Sequence, residues 1–286
     1  MRRKHTTDVL ELRSRERCKV AGILNVTPDS FSDGGLYSET RRAVAHGLEM
    51  IAAGADFVDV GGESTRPGAV RVGVNEELRR IIPVIVQLVD AGAVVSVDTT
   101  RATVADAALA AGASIINDVS GGSADEAMAS VVASAGVPWV LTHWRGPSRT
   151  MAGAAHYTDV IAEVRAELLA RVETALAAGV ASEQLVLDPG LGFAKRPEHD
   201  LALLAGLQRI VDLGFPVLVG ASRKSFIGSV LAGSENPRDR AVDRDSATVA
   251  TTALAAHAGA WAVRVHDVSS NVDAVRLVAA MRSSTM

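Results

Sequence analysis

Cysteine is nearly missing from this chain: Cys18 is the single one in 286 residues. A lone thiol cannot close an internal disulfide, so a disulfide-stapled secreted scaffold is excluded and a reducing, cytoplasmic setting is expected. Aromatic residues are scarce, at 3%, so Ala, Val, Leu and Ile must build the core. Neither charge sign dominates. The formal net charge of -4 gives no reason to expect nucleic acid or an anionic membrane as a partner. No apolar run is long enough to span a bilayer, and residues 1–19, rich in Arg, Lys and Glu, lack the apolar stretch of a signal peptide. That segment reads as a flexible, solvated N-terminus and residues 20–286 as one domain. What is plentiful is apolar sequence, at 48%, enough for a substantial core.

The apolar residues come in short runs that alternate with helical periodicity. The first run, Val20 to Leu24, changes character at Asn25 and is followed by a Pro- and Gly-containing loop to Gly35. A β-branched run ended by such a loop reads as a buried strand. Helical spacing follows over Thr40–Ala53, then a strand at Asp56–Val60, and the alternation continues to a last helix at Ser269–Met281. Eight strand–helix units result. Several helices end in Ala-Gly (Ala53-Gly54, Ala91-Gly92, Ala111-Gly112, Ala135-Gly136, Ala178-Gly179), the signature of a glycine C′ terminator. The strands are continuous apolar runs, as expected when both faces are covered. Eight such units in one chain predict an α/β fold, a (β/α)8 TIM barrel. A doubly wound open sheet is the alternative, but no strand is followed by G-x-G-x-x-G.

Each predicted strand ends in a polar residue: Asn25, Asp59, Asp98, Asn117, His143, Asp188, Ser222 with Lys224, and Arg264 with His266. Any one of these has a structural reading as a cap or turn residue. Together, on the one barrel face where strand tips converge, they imply a polar ligand, because buried polar groups need partners. Asp98, Asn117, Asp188 and Lys224 suit a flat heterocycle with amino and oxo edges. Asn25, Arg264 and His266, on the first and last strands, suit an anion and a hard metal ion. Thr65, Arg66, Ser222 and Arg223 would add a second anionic site, with a helix start near Ser222 favouring negative charge.

The motifs NVTPDSFSDGG, VGGESTRPGA, SVDTTRA, INDVSGG, LTHWRG, LDPGLGFAK, GASRKSFIG and RVHDV, in this order, resemble those of dihydropteroate synthase. The resemblance covers essentially the whole chain after the N-terminal segment. It implies condensation of 6-hydroxymethyl-7,8-dihydropterin diphosphate with 4-aminobenzoate, giving 7,8-dihydropteroate and diphosphate in folate biosynthesis. It also implies site roles. Asp98, Asn117, Asp188 and Lys224 would hydrogen-bond the pterin, with Phe193 and Arg264 against its ring. Asn25 would ligate Mg²⁺ on the diphosphate, which Thr65, Arg264 and His266 would also touch. Phe31, Thr65, Arg66, Pro67 and Ser222 would surround 4-aminobenzoate. Asp98, Lys224, Arg264 and His266 would form the catalytic group. Thr142 stands where the family usually has Met, behind the pterin pocket.

The chemistry implied breaks the bond between the pterin methylene and diphosphate. It needs cations to receive developing charge and no nucleophilic side chain. A pterin-binding methyltransferase-type barrel and a noncatalytic pterin-binding protein are the other classes considered. The first would lack the diphosphate loop and the SRK and TRPG motifs, and the second would bind pterin without making diphosphate. The resemblance further suggests a homodimer, through the Ala- and Val-rich helices near the C-terminus, and sensitivity to sulfonamide inhibitors.

Overall fold

A computed structural model describes residues 16–27, 35–63, 71–147, 151–232 and 240–284. Its frame is a ring of short parallel strands: β1 Lys19–Asn25, β2 Phe57–Gly61, β3 Val95–Asp98, β4 Ile115–Asp118, β5 Trp139–Thr142, β6 Leu185–Asp188, β7 Leu218–Val219 and β8 Ala262–Val265. They hydrogen-bond in the order β6-β5-β4-β3-β2-β1-β8-β7. The ring closes between β6 and β7 through a single parallel bridge, Leu187 to Val217, with the Leu187 N–H donating to the Pro216 carbonyl at 2.8 Å. This is the predicted (β/α)8 barrel.

Helices wrap the ring: α1 Gly35–Ala52, α2 Val74–Asp90, α3 Ala102–Ala110, α4 Met128–Ala135, α5 Val160–Ala177, α6 Pro197–Ala205, α7 Leu207–Val211, α8 Ser225–Leu231, α9 Asp245–His257 and α10 Val268–Ser283. Their starts have local causes. Asp159 caps α5 by accepting from the Ile161 and Ala162 N–H groups at 3.0 Å each. Glu76 and Glu77 sit in the first turn of α2, where the helix dipole favours negative charge. Gly54, at φ 99°, ends the first αβ unit in the left-handed region, as the Ala-Gly pattern predicts.

Several boundaries differ from the sequence reading. The helix expected over Pro197–Asp212 is two helices, because Gly206 interrupts it where a Cβ would run into Ile161. α4 starts at Met128 rather than Ala124. Asp118 instead builds a turn, accepting from the Ser120 and Gly122 N–H groups at 2.9 Å each. α8 starts at Ser225, so Ser222 lies in the turn before it and not on its first residue. β1 begins at Lys19, and Arg17 ahead of it clamps Asp56 with two 2.8 Å bonds.

The apolar residues fall into two sets. One lies between strands and helices, including Val58, Val60, Ile85, Leu88, Val97, Leu141 and Leu187. The other fills the lower barrel: Ala21, Phe57, Ile115, Val140, Val186, Leu218 and Ala262, closed below by Trp261 stacked on Phe57 at 5.8 Å. Two of the few aromatic residues are thus spent as a plug. Above the plug, most of the next inward positions are polar, namely Asp59, Ser96, Asp98, Asn117, Thr142, Asp188 and Arg264, most of them buried, while β1 contributes Ile23. The strand period of two makes this layering possible, since residues two apart point to the same face.

Candidate active site

The centre of the polar layer is Arg264 on β8. Its Nε donates to Asp59 Oδ2 at 2.5 Å, and its Nη2 donates to Asp98 Oδ2 at 2.8 Å. Asp59 Oδ2 also accepts from Asn117 Nδ2 at 2.9 Å. One guanidinium therefore joins β2, β3 and, through Asp59, β4. Both of Asp59's bonds fall on a single oxygen, and its Oδ1 is buried without a hydrogen-bond partner. Asp59 appeared in the sequence as one strand tip among eight. Its role as the link between Arg264 and Asn117 became visible only here.

Backbone register brings the remaining groups together. Asp98 lies beside Asn117, and Asn25 beside Gly61, across neighbouring strands. A Cβ at Gly61 would sit 3.7 Å from Asp98 Oδ2 and 3.8 Å from Asn25 Oδ1, so glycine leaves room for both. At Gly220 a Cβ would lie 3.9 Å from Asp188 Oδ2 and 4.0 Å from Lys224 Nζ. Asp98, Asn117, Asp188, Lys224 and Arg264 thus share one barrel mouth. Ser222 and His266 meet at its rim, with Oγ and Nδ1 2.9 Å apart.

Burial tunes these groups. It raises the Asp98 pKa to about 7 despite the attraction of Arg264. It raises Asp188 as well, although Lys224 and the Gly190 N–H oppose it. It lowers Lys224, against the pull of Asp188. Lys224 bonds to the Leu191 carbonyl and holds its ammonium 4.7 Å from the Phe193 ring centroid. Buried carboxylates interleaved with the cations of Arg264 and Lys224 favour a ligand that carries N–H donors on one side and anionic charge on another.

Some expected residues stand elsewhere. Arg223 was read as part of an anionic subsite, yet its guanidinium is committed to Asp245 through bonds of 2.7 and 2.8 Å. Its φ of 60° turns the chain so that Ser222 and Lys224 flank it. His143 is 2% exposed and bonds outward, Nε2 to Glu167 at 2.9 Å. Burial lowers its pKa to about 4, so the imidazole is neutral at pH 7, and its bond to Glu167 turns it away from the mouth. Thr142 sits in register with Asp188 on the inner face, buried, with an unpartnered hydroxyl. Cys18 is buried, and desolvation raises its thiol to about 12, which removes it as a nucleophile. Phe31, Thr65, Arg66 and Pro67 lie outside the described residues.

The fold and mouth define a barrel enzyme of the pterin-binding class, and the model of the family described as "Pterin binding enzyme" matches residues 21–266. Dihydropteroate synthase of Mycobacterium leprae (strain TN) is 57% identical over 263 residues, covering 92% of this chain and 93% of that protein. A structure of the Xanthomonas albilineans dihydropteroate synthase with 4-aminobenzoic acid is 46% identical, with a TM-score of 0.87 over 94% of each chain. The Yersinia pestis dihydropteroate synthase in a sulfonamide drug complex is 40% identical, with a TM-score of 0.86 over 94% of this chain and 96% of that one. The chain belongs to the dihydropteroate synthase family. It is a transferase of folate biosynthesis, and the methyltransfer and noncatalytic alternatives fall away.

Proposed function

We propose that the barrel mouth binds 6-hydroxymethyl-7,8-dihydropterin diphosphate with its ring among Asp98, Asn117, Asp188 and Lys224, and joins it to 4-aminobenzoate. The observation that carries this reading is the Asp59–Arg264–Asp98 chain of charge across the mouth. Asp98 and Asp188 offer carboxylate oxygens to ring N–H groups. Asn117 gives an amide N–H to Asp59, which turns its carbonyl oxygen away from that bond as a further acceptor. Phe193 and Arg264 lie against the ring.

The methylene–oxygen bond breaks with its electron pair leaving on diphosphate. The aniline nitrogen supplies the pair for the new carbon–nitrogen bond and loses one proton. Positive charge left on the pterin spreads into the ring, where the buried carboxylates lower its energy. Arg264 on β8 and His266 just beyond its end face the leaving group, and Asn25 stands at the tip of β1, the strand that pairs with β8. Ser222, in contact with His266, lies where the 4-aminobenzoate carboxylate would approach, with Phe31, Thr65, Arg66 and Pro67 as its expected company.

No cluster of three acidic, His or Cys side chains that would hold a metal is found among the described residues. Asn25 Oδ1 is one neutral oxygen at the mouth, a donor set that fits Mg²⁺ arriving with substrate phosphates and keeping several waters. Mg²⁺ bound there would neutralise charge on the diphosphate. A cytoplasmic setting is part of the proposal, supported by the single cysteine, which fits a reducing compartment; no described helix is long and apolar enough to cross a membrane.

A homodimer is proposed through α9 and α10, where Leu254, Leu277 and Met281 stand 56%, 64% and 53% exposed. Grouped apolar side chains on two packed helices suit a self-complementary interface. The deciding assay follows diphosphate release from the pterin diphosphate. Release that requires 4-aminobenzoate supports the reading. Release at the same rate without it would show hydrolysis instead.

A further inference from the structure

The loop between β6 and α6 folds around one ammonium. Lys195 Nζ donates to the Gly190 carbonyl at 2.9 Å, to the Phe193 carbonyl at 3.0 Å, and to His143 Nδ1 at 2.9 Å. Three N–H donors meet three acceptors, which is the full capacity of a charged lysine. The imidazole accepts at Nδ1 because its Nε2–H is given to Glu167 on α5, a carboxylate that can only accept. Glu167 is held in turn by Arg145. The anchor therefore runs from the helix layer through His143 to the loop.

The loop needs an anchor. Gly190, Gly192 and Ala194 have φ of 66°, 75° and 48°, so three of five consecutive residues are left-handed and one of them carries a side chain. No ladder of backbone bonds stabilises such a path. Lys195 binds it at two carbonyls, and Asp200 accepts from the Gly192 N–H at 2.7 Å. The two carbonyls matter for what they adjoin. Gly190 gives its own N–H to Asp188 Oδ1 at 2.7 Å. Phe193 presents its ring to Lys224.

We infer that Lys195 is a positioning residue for pterin binding. It sets the Phe193 ring and the Asp188 carboxylate from behind, without touching the ligand, and His143 with Glu167 is its support. The inference rests on the pterin site proposed above. Burial pulls Lys195 down to about 7 while Asp200 and Asp188 favour its charge, which is the expected tension for an ammonium enclosed by neutral acceptors.

The test is a double-mutant cycle with Lys195→Met and Phe193→Ala, reading KM for each substrate, kcat, calorimetric binding of 6-hydroxymethylpterin, and the thermal midpoint. Lys195→Met should raise the pterin KM and dissociation constant about tenfold or more, the scale seen when a partner behind a binding group is lost. The KM for 4-aminobenzoate should change less than about twofold on the same scale. The double variant should bind pterin more tightly than the product of the single effects predicts, because both act through one ring. Equal losses for both substrates, or multiplicative effects, would reduce Lys195 to a stability residue and overturn the inference. Should Lys195→Met fail to fold, Lys195→Gln, whose amide serves two of the three acceptors, is read in the same way. The site reading is judged separately: unchanged pterin binding in Phe193→Ala alone would remove Phe193 from the site, whatever Lys195 does.

Discussion

Replacing Asp98 with Asn changes one atom at the mouth and should separate activity from stability. Asp98 is 7% exposed, bonded to Arg264 at 2.8 Å, and held at about 7 by burial. As a carboxylate it accepts N–H groups through two oxygens. The amide keeps one acceptor and turns a donor toward the ligand. A charged hydrogen bond is worth about 1.5–3 kcal/mol, so kcat/KM for the pterin diphosphate should fall by about ten- to a hundredfold for each bond lost.

The pH behaviour follows from the same raised pKa. Below about 7 Asp98 holds a proton and no longer accepts at both oxygens. Wild-type kcat/KM for the pterin should therefore decline about tenfold per pH unit on the acid side. That limb should flatten in Asp98→Asn. For stability the sign is opposite. A carboxyl raised in the folded state binds its proton more tightly there than in the unfolded chain. Stability is thus full below the ordinary aspartate range and is lost as pH rises to about 7. The buried charge costs at most roughly 4 kcal/mol at neutral pH. Asp98→Asn removes it, so its melting temperature at pH 8 should equal or exceed wild type. Steady-state kinetics across pH 5.5–9, at roughly one-unit steps, with melts alongside, decide it. An unchanged acid limb in the variant, or near wild-type kcat/KM, would refute the role given to Asp98.

Three further outcomes are expected. Titration calorimetry should show no tight Mg²⁺ binding to the substrate-free protein and clear binding once diphosphate is present, because Asn25 supplies a single neutral oxygen; tight binding to the protein alone would sink the assignment. Light scattering at micromolar concentration should give a dimer, and Leu277→Glu, at a residue 64% exposed on α10, should shift it toward monomer while activity per chain survives; a wild-type monomer would rule the interface out. Sulfamethoxazole should compete with 4-aminobenzoate, since no insertion flanks Phe31 or residues 64–68 to exclude so close a mimic; unchanged turnover at millimolar drug and low 4-aminobenzoate would contradict an intact pocket.

The architecture was legible in the chain because a buried parallel strand and a helix differ in period and length. Eight apolar runs ending in polar residues, with Ala-Gly closing the helices between them, leave little besides a barrel. The motif order then named the family. Register was implicit too: a period of two places Phe57, Asp59 and Gly61 on one inner face once β2 is recognised.

Tertiary structure decided which polar residues pair. No spacing rule says that Arg264 spans Asp59 and Asp98, 205 and 166 residues away, because those bonds exist only after the ring closes. Nor could the order of residues show that Arg223 is spent on Asp245, or that His143, a tip like the others, turns outward to Glu167. In the sequence Lys195 is only the last residue of the LDPGLGFAK motif, with no role of its own. Its meaning came from three acceptors converging on one point in space. Sequence patterning reports which face each residue occupies, whereas hydrogen-bond pairing depends on distances of about 3 Å between segments remote in the chain, and only the folded barrel sets those.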